Sequence, residues 1–186
     1  MNPSAIIYGE GWSMKTATEE LLTTQTRIKM IAKSFGVSGS IAFFNDQTRD
    51  GIRGSVWDAE NPGYLGNPSD QKCIEKVVFG LKGCESRFKS LSSSWTVKDA
   101  GVINYAFVHD NNTLYDKLKL SCPESSESQI VILCMGTPLL MAGEEILRSK
   151  VNKDGSFNNN SYNAPDEVNN IKWENIRPGS FEFKIQ

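Results

Sequence analysis

The sequence predicts an α/β fold built on a parallel sheet, on three observations. Short apolar runs of strand length alternate with stretches that carry apolar residues at helical spacing, which is the pattern of strands joined by crossover helices. The first run, Ala5-Ile6-Ile7-Tyr8, ends in Gly9-Glu10-Gly11-Trp12, a carboxylate set between two glycines. Far downstream a second run, Val102-Ile103-Asn104-Tyr105-Ala106-Phe107-Val108, ends in His109-Asp110-Asn111. Strands that finish in acids and polar groups point to chemistry gathered along the C-terminal edge of the sheet.

Taken in order, Thr16 to Phe35 predicts a helix, with Leu21, Leu22, Ile28, Ile31 and Ala32 on its apolar side and Gly36 as its stop. Ser40 to Phe44 predicts a short buried strand, which runs into a polar segment from Asn45 to Ser55. Glycines, prolines and asparagines mark Val56 to Pro68 as loop. Cys73, Ile74, Val77, Val78 and Leu81 recur at spacings of three and four and predict a helix over 70–81, broken at Gly83. Ser90 to Ser94 forms a polar connection to the strand expected over 102–108. A helical start over 112–120 is interrupted at Ser121-Cys122-Pro123. The apolar run Ile130 to Met135 leads to a fourth strand at Leu139 to Ala142, which closes on Gly143-Glu144-Glu145. These two glutamates are expected to cap a helix or carry solvated charge. The asparagine-rich tail from Val151 to Gln186 is expected to be mostly loop.

Composition sets limits. A formal net charge of -2 gives no electrostatic case for nucleic acid or an anionic membrane, so a neutral ligand is expected. No apolar run is long enough to span a bilayer, and Met1-Asn2-Pro3-Ser4 does not open a secretory signal, which leads to a cytoplasmic expectation. Cys73, Cys84, Cys122 and Cys134 form no Cys-x-x-Cys pair, and one histidine is too few for the usual zinc patterns, so buried or idle thiols are expected. A complete (β/α)8 barrel needs about 250 residues. The 186 residues here suffice for one ordinary domain but fall short of that.

The words at the strand ends then acquire a family. Tyr8-Gly9-Glu10-Gly11-Trp12, Phe44-Asn45-Asp46, Arg49-Asp50-Gly51-Ile52-Arg53-Gly54-Ser55, Asn104-Tyr105, the segment His109 to Leu118, Ala142-Gly143-Glu144-Glu145 and Ser161-Tyr162-Asn163-Ala164-Pro165-Asp166 stand in this order. Together they resemble type I pullulanases, starch and glycogen debranching enzymes of the alpha-amylase superfamily, from about Ile6 to Trp173. The resemblance implies a partial (β/α)8 TIM barrel. About four parallel strands, the fifth to eighth of the family barrel, would be joined by crossover helices and followed by a loop-rich C-terminus. It implies one incomplete catalytic domain over 1–186, with strand and helix units over 5–150 and a loop-rich tail over 151–186.

The implied activity is hydrolysis of alpha-1,6-glucosidic bonds with retention. Glu10 would be the general acid/base and Asp110 the transition-state stabiliser. His109, Trp12, Asn163 and Asp166 would contact substrate, a branched alpha-glucan such as pullulan, glycogen or starch limit dextrin. Retention requires a second carboxylate about 5–5.5 Å from the acid, to attack the anomeric carbon. The family takes it from an aspartate upstream of the glutamate. Only nine residues precede Glu10 here, so this chain is expected to lack the nucleophile and to be inactive alone. Asp50, in an Asp-Gly-x-Arg context, is read as a structural ion-pair partner rather than a substitute. No cofactor is expected, with calcium left open. The implied partners beyond substrate are an N-terminal half-barrel or a second copy, pairing through open sheet edges. A glucan-binding or interaction remnant without catalysis, and a truncated gene product, are the alternatives.

Overall fold

The computed structural model describes residues 5–10, 41–84, 102–123 and 137–176. Trp12, the helix expected over 16–35 and the apolar run at 130–135 lie outside the described residues. Contacts divide the chain into two compact units. One comprises Met1–Thr48, Glu75–Tyr105 and Ile132–Leu139, the other Arg49–Ile74, Ala106–Val131 and Leu140–Gln186.

The described residues of the first unit include a four-stranded parallel sheet. Strands β1 (Ile7–Gly9), β2 (Ile41–Phe44), β3 (Val102–Asn104) and β4 (Thr137–Pro138) are neighbours in sequence order. Tyr8 lies opposite Ala42, Phe44 opposite Ile103, and Ile103 opposite Thr137. Parallel strands laid side by side in chain order form the wall of a (β/α) barrel, so the α/β partial-barrel expectation holds.

Side chains alternate between the faces of a strand, and the register sorts them cleanly. One face carries a run of aromatics: the Tyr8 and Phe44 rings meet edge-on with centroids 5.8 Å apart, and Phe44 meets Tyr105 at 5.2 Å. The other face packs Phe43 against a buried cluster of Phe79, Cys84 and Val102. At the C-terminal end of that second face lies a buried polar knot. The Asn45 amide donates to Thr48 Oγ1 at 2.7 Å and to Asn104 Oδ1 at 2.7 Å, and the Thr48 hydroxyl donates to Asn104 Oδ1 at 2.9 Å. Gly80 admits this knot, since a Cβ there would meet Thr48 Oγ1 at 1.9 Å.

Two strand expectations are corrected. The run 102–108 is strand only to Asn104, because the ladder supplied by β4 stops there, with Leu139 N donating to Asn104 O at 2.8 Å. The run Leu139 to Ala142 is not a strand. Its strand is the preceding pair Thr137–Pro138, and the chain then bends, with Glu144 N donating to Met141 O at 2.9 Å and Leu140 exposed. Apolarity identified the region, but hydrogen-bond partners set the register.

The α-helices among the described residues are α1 (Asp46–Arg53), α2 (Gly63–Gly66), α3 (Gln71–Leu81), α4 (Leu114–Ser121) and α5 (Asp166–Asn169). Helix α3 falls where its periodicity puts it, whereas α1 occupies the polar segment left unassigned and α2 interrupts the expected loop. Helix α4 begins two residues later than expected because Thr113 caps it, its hydroxyl accepting from Asp116 N at 3.1 Å. The described part of the tail, residues 151–176, is largely irregular apart from α5 and a single turn at Trp173–Asn175. Cys73 and Cys84 are buried and Cys122 is half-buried, while Cys134 is not among the described residues. No helix among the described residues is long and apolar enough to cross a membrane.

The second unit buries the apolar Ile52, Ala106, Phe107, Leu114, Leu118 and Val168, and also Arg53, Asp116, Lys117, Glu144 and Lys150. Irregular backbone explains this mixture. Loops leave carbonyls outside any helix or ladder, and buried carbonyls need donors. Lys117 Nζ donates to Ala59 O at 2.9 Å and also bonds Asp58 O, tying the loop at 58–59 to α4. Gly63 permits another close approach, because at φ +59° a Cβ would lie 2.2 Å from Gly54 N.

Candidate functional site

In the sheet unit, Glu10 follows β1 at the C-terminal edge and is exposed. The neighbouring strands reach the same edge at Asn45 and Tyr105, both buried. The sequence motif therefore delivers its acid to the edge where (β/α) sheets do chemistry.

The second unit takes over after β3. Ala106 and Phe107 are buried, Val108 is half-buried, and the chain then emerges with His109 and Asp110 exposed. Their side chains are 60% and 54% exposed, with His109 Nε2 3.6 Å from Asp110 Oδ2. The display ends sharply: Asn111 takes a left-handed φ of 61°, and Thr113 starts α4. Asparagine is among the few non-glycine residues that enter this conformation readily.

Beside this pair lies a cavity of about 220 Å³, lined in part by Phe107, His109, Met141, Lys150, Ser161 and Tyr162. That is smaller than the ~300–1,000 Å³ of sites for drug-sized ligands, and suits a compact ligand such as a single sugar ring. Apolar and aromatic side chains at Phe107, Met141 and Tyr162 and polar ones at His109 and Ser161 give it a mixed lining. Tyr162 is 78% exposed, which leaves its ring open to stack. Arg148 closes another side, donating to Ala142 O at 3.0 Å and to Asn169 O, with its pKa lowered by burial.

Asn163 and Asp166 are exposed, Asp166 in the first turn of α5. Their motif supplies the pocket with Ser161 and Tyr162 instead. Asp50 pairs with its neighbour Arg49, whose Nε lies 2.6 Å from Asp50 Oδ1, in keeping with a structural ion pair.

Lys150, Arg148, Phe107 and Tyr162 line the pocket although the sequence did not single them out. Tyr162 had a signal, an aromatic inside the Ser-Tyr-Asn-Ala-Pro-Asp word; Lys150 had none. Glu144 also departs from expectation. It is buried at 7% exposure, and burial first, then repulsion from Glu145, raises its pKa to about 7. Its Oε2 accepts from Met141 N at 3.3 Å, while Oε1 has no hydrogen-bond partner among the described residues. Glu145 is exposed, and its Oε2 accepts from Gly143 N at 3.0 Å.

A parallel sheet whose strands run into polar and acidic residues along one edge defines the class: part of an α/β barrel. No protein-family model matches the chain. Over more than nine-tenths of its length, however, the chain is pullulanase-like in both sequence and fold. It is 27% identical to a pullulanase of Bacillus subtilis over 183 residues, 92% of this chain and 23% of the relative. The crystal structure of a pullulanase from Anoxybacillus with maltotriose superposes with a TM-score of 0.72 at 31% identity, covering 94% of this chain and 23% of that one. A pullulanase from Paenibacillus barengoltzii, in complex with maltohexaose and alpha-cyclodextrin, gives 0.75 at 31% identity, covering 93% and 26%. The chain thus spans about a quarter of the length of these relatives.

Proposed function

We propose that this chain supplies the acid/base and transition-state side of a pullulanase-type debranching site, acting on alpha-1,6-glucosidic bonds of a branched alpha-glucan. The observation that carries the reading is the exposed His109–Asp110 pair beside a ring-sized pocket with an open aromatic, in a chain similar to pullulanases crystallised with maltooligosaccharides.

Glu10 would protonate the leaving glycosidic oxygen, and later deprotonate the water that releases the sugar. Asp110 would stabilise the positive charge that builds on the ring in the transition state, and His109 would hold a hydroxyl of that ring. The attacking carboxylate would come from sequence beyond these residues. The whole reaction is therefore proposed for an assembly that contains this chain, and glucan binding for the chain itself.

Reducing-sugar release from pullulan and calorimetric titration with maltotriose test this together, on the 186-residue chain and Glu10→Gln. The expected result is binding by both proteins and turnover by neither. Adding an upstream half of a pullulanase barrel should then give turnover with the parent chain and none with the Glu10→Gln variant. Binding that never leads to turnover with any added half would favour a glucan-binding remnant. Sugar release by the unmodified chain alone would overturn the assignment of the nucleophile to other sequence.

A further inference from the structure

The His109 and Asp110 side chains are more than half exposed, while the main chain that carries them is tied down. Lys150 Nζ donates to His109 O at 3.1 Å and to Asn111 O at 2.6 Å, gripping the residues on both sides of Asp110. Arg53 Nη1 donates to the next carbonyl, Asn112 O, at 2.6 Å. Lys150 is only 3% exposed and Arg53 1%.

A buried ammonium is unfavourable, and burial pushes the Lys150 pKa down, opposed by Asp116 and Asp110. An apolar side chain of similar length would fill the same space without that penalty. The charge is therefore serving the carbonyls. Lys150 is itself anchored: its backbone N donates to Asp116 Oδ2 at 2.8 Å, and the Ser149 hydroxyl bonds Asp116 Oδ1. Asp116 sits in the first turn of α4, capped by Thr113 at the end of the same loop. The bonds close a ring from loop to helix to lysine and back to the loop. Within that ring Asn111 is held in its left-handed conformation.

We propose that Lys150 is a positioning residue for the His109–Asp110 pair: by holding the carbonyls on either side of Asp110, its ammonium fixes how imidazole and carboxylate are presented to a ligand in the pocket. The ligand's identity as an alpha-glucan rests on the proposed function, whereas the ring of bonds does not. Sites of this kind lose effectiveness when a functional group is displaced by about 1 Å.

His109 is the one histidine in the sequence, so its imidazole NMR signal reports on this loop alone. In the full chain, Lys150→Met should shift or broaden that signal and weaken maltotriose binding by about tenfold or more. Lys117→Met, which removes another buried lysine with two carbonyl partners, should leave the His109 signal and the affinity at parent values. Lys150→Arg, which keeps a charged donor, should recover part of both losses. A Lys150→Met chain with the parent's His109 signal would overturn the proposal. If the parent binds no maltotriose, the glucan reading fails, yet the His109 signal still decides the role of Lys150. Should Lys150→Met not fold, the nitrogen spectrum of the parent decides instead. It should contain a slowly exchanging ammonium resonance that Lys150→Arg removes, and absence of that resonance would refute the clamp.

Discussion

Glu144→Gln should stabilise the chain by about 3 kcal/mol above pH 7 and abolish a pH dependence that the parent shows below it. Glu144 is buried, with one oxygen accepting from Met141 N and the other without a hydrogen-bond partner among the described residues. Burial, then Glu145, lifts its pKa from the ordinary 4.5 to about 7, against the pull of the Met141 amide and Arg53. The folded chain therefore keeps this proton up to about pH 7, while the unfolded chain releases it near 4.5. Between those values the folded state binds more protons, so stability falls as pH rises and levels off above pH 7. A separation of about 2.5 pH units, at about 1.36 kcal/mol each, gives the figure of about 3 kcal/mol. The amide that Glu144→Gln introduces is neutral at every pH and can donate where the carboxylate cannot. Urea unfolding at pH 5 and pH 8 measures the effect. The advantage of the amide should shrink to under about 1 kcal/mol at pH 5, where the folded parent is protonated. An advantage equal at both pH values, or none at pH 8, would show that Glu144 ionises without cost and would refute the reasoning.

Two further outcomes follow from local geometry. Gly63→Ala should destabilise by about 2 kcal/mol or more, because it puts a side chain at φ +59° against backbone atoms of Arg53 and Gly54, and a thermal melt would show it. Asn45→Ala removes the amide that joins Thr48, Asn104 and the Gly80 carbonyl, and should cost about 2 kcal/mol in chemical denaturation. Since the Thr48 hydroxyl still reaches Asn104, a loss well above that would mean the knot does more than satisfy its own members.

Helix α3 was legible because its apolar residues repeat at helical spacing over eleven residues, long enough for periodicity to speak. Helix α1 was not. Its segment Asp46–Arg53 is mostly polar, and the residues that secure it, Thr48 and Arg53, are buried through hydrogen bonds rather than apolarity. Strand boundaries failed for a related reason. The run 102–108 is apolar throughout, yet only 102–104 find ladder partners, and the remainder is buried as irregular chain that leads to His109. Among the candidate residues, Glu10, His109 and Asp110 stood out because acids and an imidazole at the ends of apolar runs form a visible pattern. Lys150 acts on main-chain carbonyls, which every residue carries, so no pattern of side chains marks its targets.

Short local words and the alternation of apolar with polar residues were enough to specify the α/β class, the parallel order of the strands, the pullulanase likeness and the acids at the strand ends. Which carbonyls the loops would strand, and hence which charged side chains had to be buried to meet them, was settled only by the folded chain. That is a matter of distance between residues far apart in sequence, as between Lys150 and His109 or Arg53 and Asn112. Hydrophobic spacing specifies faces and elements, whereas satisfying buried polar backbone depends on where the folded loops come to lie.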